Sequence, residues 1–145
     1  MQVFIIGSPL ETAQALDAKR LHKQIVEVRQ IMDAHIGQTK AWLNHPCTRQ
    51  YWKHTVWLKL YEIVLKHHRD GYTALAEYYS RLAEKFKPDF HTPEYFDQMK
   101  RRLYTKDPNH YSQWAHLGSS DVNWYYVDGA WKHYKNGKLI KTIIP

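Results

Sequence analysis

Four polar residues in the stretch LDAKRLHKQIVEVRQIMDAH recur at spacings of three or four: Arg20, Lys23, Glu27 and Gln30. Residues at these spacings are neighbours on a helix surface, so the four side chains would form one polar ridge. Cations on such a ridge can hold phosphates, and a carboxylate between them can move protons or stabilise developing positive charge. A solvated helix face would show the same pattern, with Lys23 and Glu27 as an ordinary ion pair. The ridge therefore indicates either a solvent-facing surface or a site that grips a phosphate backbone.

The overall charge favours a polyanionic partner. The chain carries a formal net charge of +7 and has a sequence pI of about 9.4. A basic excess of this kind is typical of proteins that bind nucleic acid, and anionic membrane is the second candidate. The six Trp and eleven Tyr residues suit base stacking, although aromatic residues also fill an ordinary small core. A soluble protein that is merely basic remains the plain alternative.

A second polar pattern follows the sequence HPCT. Arg49, Lys53 and Trp57 are spaced by four, which interleaves two cations with an aromatic ring if one helix carries them. His45 and Cys47 flank Pro46 and are either a nucleophile pair or, as we expect, packing residues at a helix start. Four histidines lie in or beside this region, but no zinc-ligand spacing is present, and we expect no metal and no cofactor.

The elements that must carry these residues are mostly helical. Residues 3–6 predict an extended N-terminus, and the SPLE sequence predicts a capped helix that runs to about His35. Its buried stripe is predicted to be Leu21, Ile25, Val28 and Met32. A second helix is predicted from residues 45–48, with an apolar face of Trp52, Val56, Leu60, Ile63 and Val64.

The remaining chain predicts further helix and then a change to strand. Residues 73–86 either continue the second helix or form a third, and another helix should run from Thr92 to about Leu103. Two hairpin turns, Asp128-Gly129 and Asn136-Gly137, predict a three-stranded meander. We therefore expect a mainly α fold: a compact bundle of three to four helices, a short extended N-terminus and a small antiparallel β meander at the C-terminus.

We expect one domain over residues 1–145, with a helical core at about 8–103, a loop at 104–121 and the meander at about 122–144. The single cysteine, Cys47, allows no disulfide within the chain. The apolar run VFII is too short for a signal peptide or a membrane span. We expect a cytoplasmic monomer that does not bind membrane.

The order of these elements resembles the pyrimidine dimer DNA glycosylase family of the bacteriophage endonuclease V type. The resemblance covers roughly residues 1–85 and rests on the extended N-terminus, LDAKRLHKQIVEVRQIM and NHPCTRQYWKHTVWLKLYEIVLKHHRDGY. It implies a mainly helical enzyme that cuts the N-glycosidic bond of a damaged pyrimidine in double-stranded DNA and then breaks the strand by β-elimination.

The resemblance also implies which groups do the chemistry. The nucleophile would be the α-amino group of Met1, which forms a Schiff base with C1′ of the sugar, and Glu27 would assist. An α-amino group ordinarily has a pKa of about 7.7–8.0, so part of it is unprotonated at neutral pH. The predicted DNA contacts are Lys19, Arg20, Lys23, Gln30, His45, Arg49 and Lys53.

Residue 2 departs from the family pattern. Phage-type members expose a small residue after loss of the initiator Met, whereas the bulky Gln2 should block that removal. The amine would then belong to Met1 itself, or a lysine such as Lys23 would replace it, or the lyase chemistry has been lost. The alternatives to an enzyme of this kind are a non-catalytic nucleic-acid-binding module and a small enzyme that acts on nucleotides.

Overall fold

The computed structural model describes every residue from Met1 to Pro145, and the chain divides into two compact units, Met1–Asp89 and Phe90–Pro145. The first unit contains helices α1 to α5, which are Pro9–Ala15, Ala18–His35, Pro46–Gln50, Thr55–Arg69 and Thr73–Ala83. The second contains α6 (Pro93–Lys106) and strands β1 to β3, which are Val122–Val127, Ala130–Lys135 and Lys138–Ile143. Short 3₁₀ helices lie at Glu84–Phe86 and Ser112–Leu117.

The predicted fold class is confirmed. The chain is mainly α, with a three-stranded antiparallel sheet of order β1-β2-β3 at its C-terminal end. Asp128 and Gly129 have φ values of 54° and 78°, and Asn136 and Gly137 have 51° and 75°, as the two-residue hairpin turns require. No helix is long and apolar enough to cross a membrane. The single domain over residues 1–145 stays a prediction.

The prediction of one helix from Ser8 to His35 is wrong. Ser8 does cap the first helix, because its side chain accepts the Glu11 N–H and the Glu11 side chain accepts the Ser8 N–H in return. However, Leu16 and Asp17 adopt extended backbone angles, with ψ values of 137° and 160°. The chain therefore turns between α1 and α2, and Leu16 is buried.

The second predicted helix is also broken. Pro46 opens α3 as expected, but residues 51–54 form a turn before α4 begins at Thr55. This break shifts the helical phase, so Trp52 and Val56 are 52 % and 56 % exposed instead of lining the core. Trp57 is 1 % exposed and stacks on Tyr51, which removes it from the predicted row with Arg49 and Lys53. Smaller differences are that α6 extends to Lys106 and that a 3₁₀ helix occupies part of the predicted 104–121 loop.

An ion pair between half-exposed Arg29 and a buried carboxylate joins α2 to α4. The Glu62 carboxylate, whose side chain is 1 % exposed, accepts bonds of 2.9 and 2.7 Å from the Arg29 guanidinium. Lys59 and Lys66, on the same helix as Glu62, add contacts of 2.9 and 3.7 Å. Bidentate geometry of this kind is specific in orientation as well as favourable in energy. The pair therefore acts together with the buried stripe of α2 to orient this helix and its polar ridge.

Candidate functional site

The extended N-terminal segment, residues 2–6, runs through the interior of the first unit. Val3 and Ile5 are fully buried, and Phe4 is 8 % exposed. The segment belongs to no sheet, so its backbone N–H and C=O groups need other partners. Side chains from four helices, α1 to α4, supply these partners, and they determine where the start of the chain lies. On α1, for example, Oγ1 of Thr12 accepts the Ile6 N–H at 3.0 Å.

Gln24 on α2 acts in place of a neighbouring strand. Its Nε2 donates to the Gln2 carbonyl at 3.0 Å, and its Oε1 accepts the Phe4 N–H. The Tyr61 hydroxyl on α4 donates to the Phe4 carbonyl. In extended backbone, the polar groups of residues i and i+2 point to the same side, so one amide side chain can span them. Gln24 is 2 % exposed, and the segment is held between α2 and α4 by its backbone.

The Glu27 carboxylate, which the sequence predicts to be catalytic, contacts the same side of the N-terminal segment. Oε2 of Glu27 accepts the Gln2 N–H at 3.3 Å, and its Oε1 lies 3.8 Å from Nζ of Lys23. Because three backbone bonds separate the Met1 nitrogen from the Gln2 nitrogen, the α-amino group lies within about 7 Å of this carboxylate. The Glu27 side chain is 15 % exposed, against 65 % for Lys23. The carboxylate therefore sits at the inner edge of the ridge, beside the start of the chain.

The opposite side of the segment meets α3. The Cys47 sulfur accepts the Val3 N–H, and burial raises the pKa of this thiol to about 12. Thiolate is the reactive form of cysteine, so Cys47 is inert at neutral pH. His45 does not pair with the thiol, because its Nδ1 accepts the Cys47 backbone N–H at 3.0 Å as a helix cap. These contacts agree with packing at a helix start and not with a nucleophile pair.

The charge at the start of the chain also affects the pKa of His45. Burial, and then the positive charge of the α-amino group, lower the pKa of His45 to about 4. The imidazole is thus neutral at pH 7, and because Nδ1 accepts a hydrogen bond its proton resides on Nε2. We call the α-amino group of Met1, Glu27, His45 and Cys47 the N-terminal cluster. It combines an amine, a carboxylate and a neutral imidazole at the surface end of a buried segment.

The predicted DNA-contact residues are distributed over three elements. Lys19 and Lys23 are exposed on α2, and Gln30 is half-buried on the same helix. Arg20 is only 18 % exposed and pairs with Asp17 at 3.2 Å, so part of its charge is already neutralised. Arg49 is exposed in α3 and Lys53 in the turn that follows, so no single helix carries both cations. Lys19, Lys23 and Gln30 share one side of α2, as the spacing predicts.

Sequence reasoning missed Gln24 and Tyr61. Gln24 lies one helical turn from Leu21 and Val28, within the arc of α2 that is otherwise apolar and buried. A lone amide at such a position indicates that another segment packs there and supplies polar groups, because a buried side-chain amide needs hydrogen-bond partners. Tyr61 carries no such signal, since its ring fits the core and only its hydroxyl is used.

A comparison with protein families bears on this geometry. Residues 1–70 match the family model described as pyrimidine dimer DNA glycosylase. The match confirms the resemblance predicted from sequence and includes every residue of the N-terminal cluster, together with Gln24 and Tyr61. It spans slightly less than half of the 145 residues and supports a DNA glycosylase function in general. No curated protein and no solved structure matches the chain.

Proposed function

We propose that this chain is a DNA N-glycosylase with abasic-site lyase activity that acts on damaged or modified pyrimidines in double-stranded DNA. Two observations support the proposal together. The family match covers the residues that hold the start of the chain, and the Gln2 N–H lies 3.3 Å from the Glu27 carboxylate. The second observation carries the proposal, because a Schiff-base glycosylase needs an amine and a proton-handling group beside each other.

The α-amino group of Met1 is the proposed nucleophile. Its nitrogen forms a bond to C1′ of the flipped nucleotide as the bond from C1′ to the base breaks, and the base leaves with the bonding electron pair and is protonated. The nitrogen then loses a proton and its lone pair forms the C=N bond as the C1′–O4′ bond breaks, while O4′ takes that bond's electron pair and is protonated; the product is the protonated imine. Removal of a C2′ proton then expels the 3′ phosphate by β-elimination, which breaks the strand.

Glu27 is the proposed electrostatic and proton-transfer partner of this amine. Its carboxylate stabilises the cationic character that develops on the sugar and on the iminium nitrogen. It also transfers protons during ring opening and elimination. Lys23 lies 3.8 Å from Glu27 and keeps the local charge balanced while one of its donors remains available to a phosphate.

DNA is held through its backbone in this proposal. Exposed Lys19, Lys23, Arg49 and Lys53 contact phosphates on either side of the lesion, and half-buried Gln30 and neutral His45 donate hydrogen bonds. Arg20 contributes less, because Asp17 already pairs with it. Damage weakens base pairing, so the target nucleotide leaves the stack at a cost of a few kcal/mol.

Borohydride trapping tests the proposal. The chain is incubated with abasic or ultraviolet-irradiated duplex DNA in the presence of borohydride, which reduces an imine to a stable covalent link. We expect a covalent adduct with the parent protein and none with a variant that carries Gly-Ser before Met1, because the extension converts the Met1 α-amine into a peptide nitrogen and moves the terminal amine two residues away from Glu27. The intact mass of each protein establishes which residue is first.

The other outcomes are equally decisive. Equal trapping by the extended variant would mean that an amine other than that of Met1 forms the imine, either the new terminal amine or a lysine, and Lys23→Ala would show whether it is Lys23. If the parent binds DNA but gives neither adduct nor strand cleavage, the chain is a non-catalytic binding module. If binding lacks a steep salt dependence and free nucleotides compete well, the substrate is a nucleotide.

A further inference from the structure

In the β meander of the second unit, a β-bulge places two lysines of β3 on the same face of the sheet. Lys138 and Lys141 are three positions apart, so in a regular strand their side chains would point to opposite faces. The β2–β3 register shifts between His133 and Tyr134: His133 pairs with Lys141, whereas Tyr134 pairs with Leu139. This bulge adds one residue to β3 and reverses the alternation there. Lys138 and Lys141 consequently lie on the same face.

Basic and aromatic side chains predominate on that face, which also carries Val122 and the row Tyr126–Trp131–Ile143. Directly opposite residues share a face, so the rows Trp124–His133–Lys141 and Lys135–Lys138 lie on one side of the sheet. The rings of Trp124 and His133 are parallel, with centroids 4.7 Å apart. We call these five residues, Trp124, His133, Lys135, Lys138 and Lys141, the lysine face.

The charge of the lysine face is poorly compensated. Lys135 pairs with Asp121 at 3.4 Å, whereas Lys138 and Lys141 are exposed and make no ion pair. Lys135 and Lys138 are direct cross-strand partners, and like charges in such positions destabilise a sheet. Burial and the nearby charge of Lys141 lower the pKa of His133, which keeps this ring neutral and able to stack. A face that gathers unpaired lysines beside flat rings suits a polyanion with aromatic groups.

We propose that the lysine face is a second DNA-contact surface, which binds the phosphates of an unpaired strand with Lys135, Lys138 and Lys141 and packs a base against the Trp124–His133 ring pair. Positive side chains that follow the backbone, together with aromatic rings that stack bases, are the general means of binding single strands. The choice of DNA as the polyanion rests on the proposed function. The surface itself is formed by residues outside the family match.

The test measures the binding of a fluorescein-labelled oligothymidylate to the full chain over a range of salt concentrations. Each phosphate contact on a single strand contributes about −0.7 to the slope of log K against log salt. We expect Lys138→Ala/Lys141→Ala to make the slope less negative by about 1.4 and to weaken binding. The matched control is Lys40→Ala/Lys85→Ala, which removes two exposed lysines from the first unit and should leave the slope unchanged.

Two single variants test the charge and the rings separately. Asp121→Asn removes the carboxylate partner of Lys135 and should tighten binding. Trp124→Phe keeps an aromatic ring in the strand but presents a smaller stacking surface, so affinity should fall with the slope unchanged. Thermal melting of each variant verifies that it is folded.

Failure of this inference is distinguishable from failure of the proposed glycosylase. An unchanged slope in Lys138→Ala/Lys141→Ala, or an equal change in the control pair, would overturn the lysine face as a DNA surface. Borohydride trapping at saturating duplex would still succeed in that case. Conversely, if trapping fails in the parent but the slope changes as expected, the lysine face stands and the lyase assignment does not.

Discussion

The carboxylate of Glu27 accepts the backbone N–H of Gln2 at 3.3 Å, although 25 positions separate the two residues. The bond uses the Gln2 backbone and not its side chain, so it requires no particular functional group at position 2, only a backbone N–H and a side chain that fits where Gln2 is buried. It brings the start of the chain to the polar ridge of α2.

Replacing Glu27 by Gln should separate chemistry from binding. The amide can still accept the Gln2 N–H, but it has no charge and cannot take up a proton. We expect DNA affinity close to that of the parent and a fall in strand cleavage of about 10²–10⁴-fold, the usual contribution of acid–base catalysis. Single-turnover cleavage of abasic duplex measures this, with Glu77→Gln at an exposed position of α5 as the control. Normal cleavage by the Glu27 variant would remove its assigned role.

Replacing Gln24 by Leu should release the start of the chain. The Gln2 carbonyl and the Phe4 N–H would each lose their hydrogen bond to Gln24. Because both groups would then be buried without that bond, the free energy of unfolding should drop by about 2–4 kcal/mol. Borohydride trapping should fall further than DNA affinity, because the amine is no longer positioned while the lysines remain. Exposed Gln14→Leu on α1 is the control. A variant as stable and as reactive as the parent would show that Tyr61 and Glu27 suffice.

Replacing Lys23 by Ala should weaken binding to duplex DNA of any sequence. If Lys23 contacts one phosphate, the slope of log K against log salt should become less negative by about 0.9. A salt titration with undamaged duplex measures this. If both the affinity and the slope are unchanged, the ridge on α2 is only a solvated face and Lys23 serves mainly as the partner of Glu27.

His45 should make the fold sensitive to mild acid. Its pKa is about 4 in the folded chain, compared with an ordinary value of 6.5, so between these values the unfolded chain binds a proton that the folded chain does not. Stability from this residue is therefore complete above pH 6.5 and is lost as the pH falls towards 4. His45→Asn keeps a capping side chain and should make the melting temperature less dependent on pH over this range, with the remaining dependence due in part to His35 and His54, whose pKa values are also lowered by burial. Exposed His22→Asn is the control.

Glu62 should contribute stability that disappears at lower pH. Burial alone would raise the pKa of its carboxyl, but hydrogen bonds from Lys59 and Arg29 lower it below the ordinary value of 4.5. Its contribution is therefore present above pH 4.5 and lost as the pH falls through the folded value. At pH 7, Glu62→Gln should reduce the free energy of unfolding by about 1–3 kcal/mol, as for other hydrogen bonds to charged groups. Urea denaturation at pH 7 and pH 3 should show a smaller difference at pH 3.

Local signals predicted much of the fold. The Ser8 capping box, the Thr92 cap and the two hairpin turns depend on neighbours a few positions away, and all occur as expected. The turn at Leu16–Asp17 and the break at residues 51–54 were missed, because the apolar spacing continues across both. Each is set by packing between distant segments, which a helical period does not record.

The candidate site was predictable in its residues more than in its geometry. Spacing along α2 identified Lys23 and Glu27, but nothing local indicated that residues 2–6 would be buried between helices. That arrangement requires Gln24 and Tyr61 to satisfy backbone groups far away in sequence. Arg20 looked equivalent to Lys23 by spacing, yet it pairs with Asp17, because the chain turn places an aspartate at the start of α2.

The outer strand of the meander has a practical consequence for handling the protein. β3 pairs with β2 on one side only, and Leu139 and Ile140 are 50 % and 55 % exposed. An apolar edge of this kind is a template for strand addition by other molecules, and charged lysines are a common defence against it. Reagents that acylate Lys138 and Lys141 would remove that protection. Labelling at amines, or storage near pH 9.4, should therefore promote self-association into β-rich aggregates.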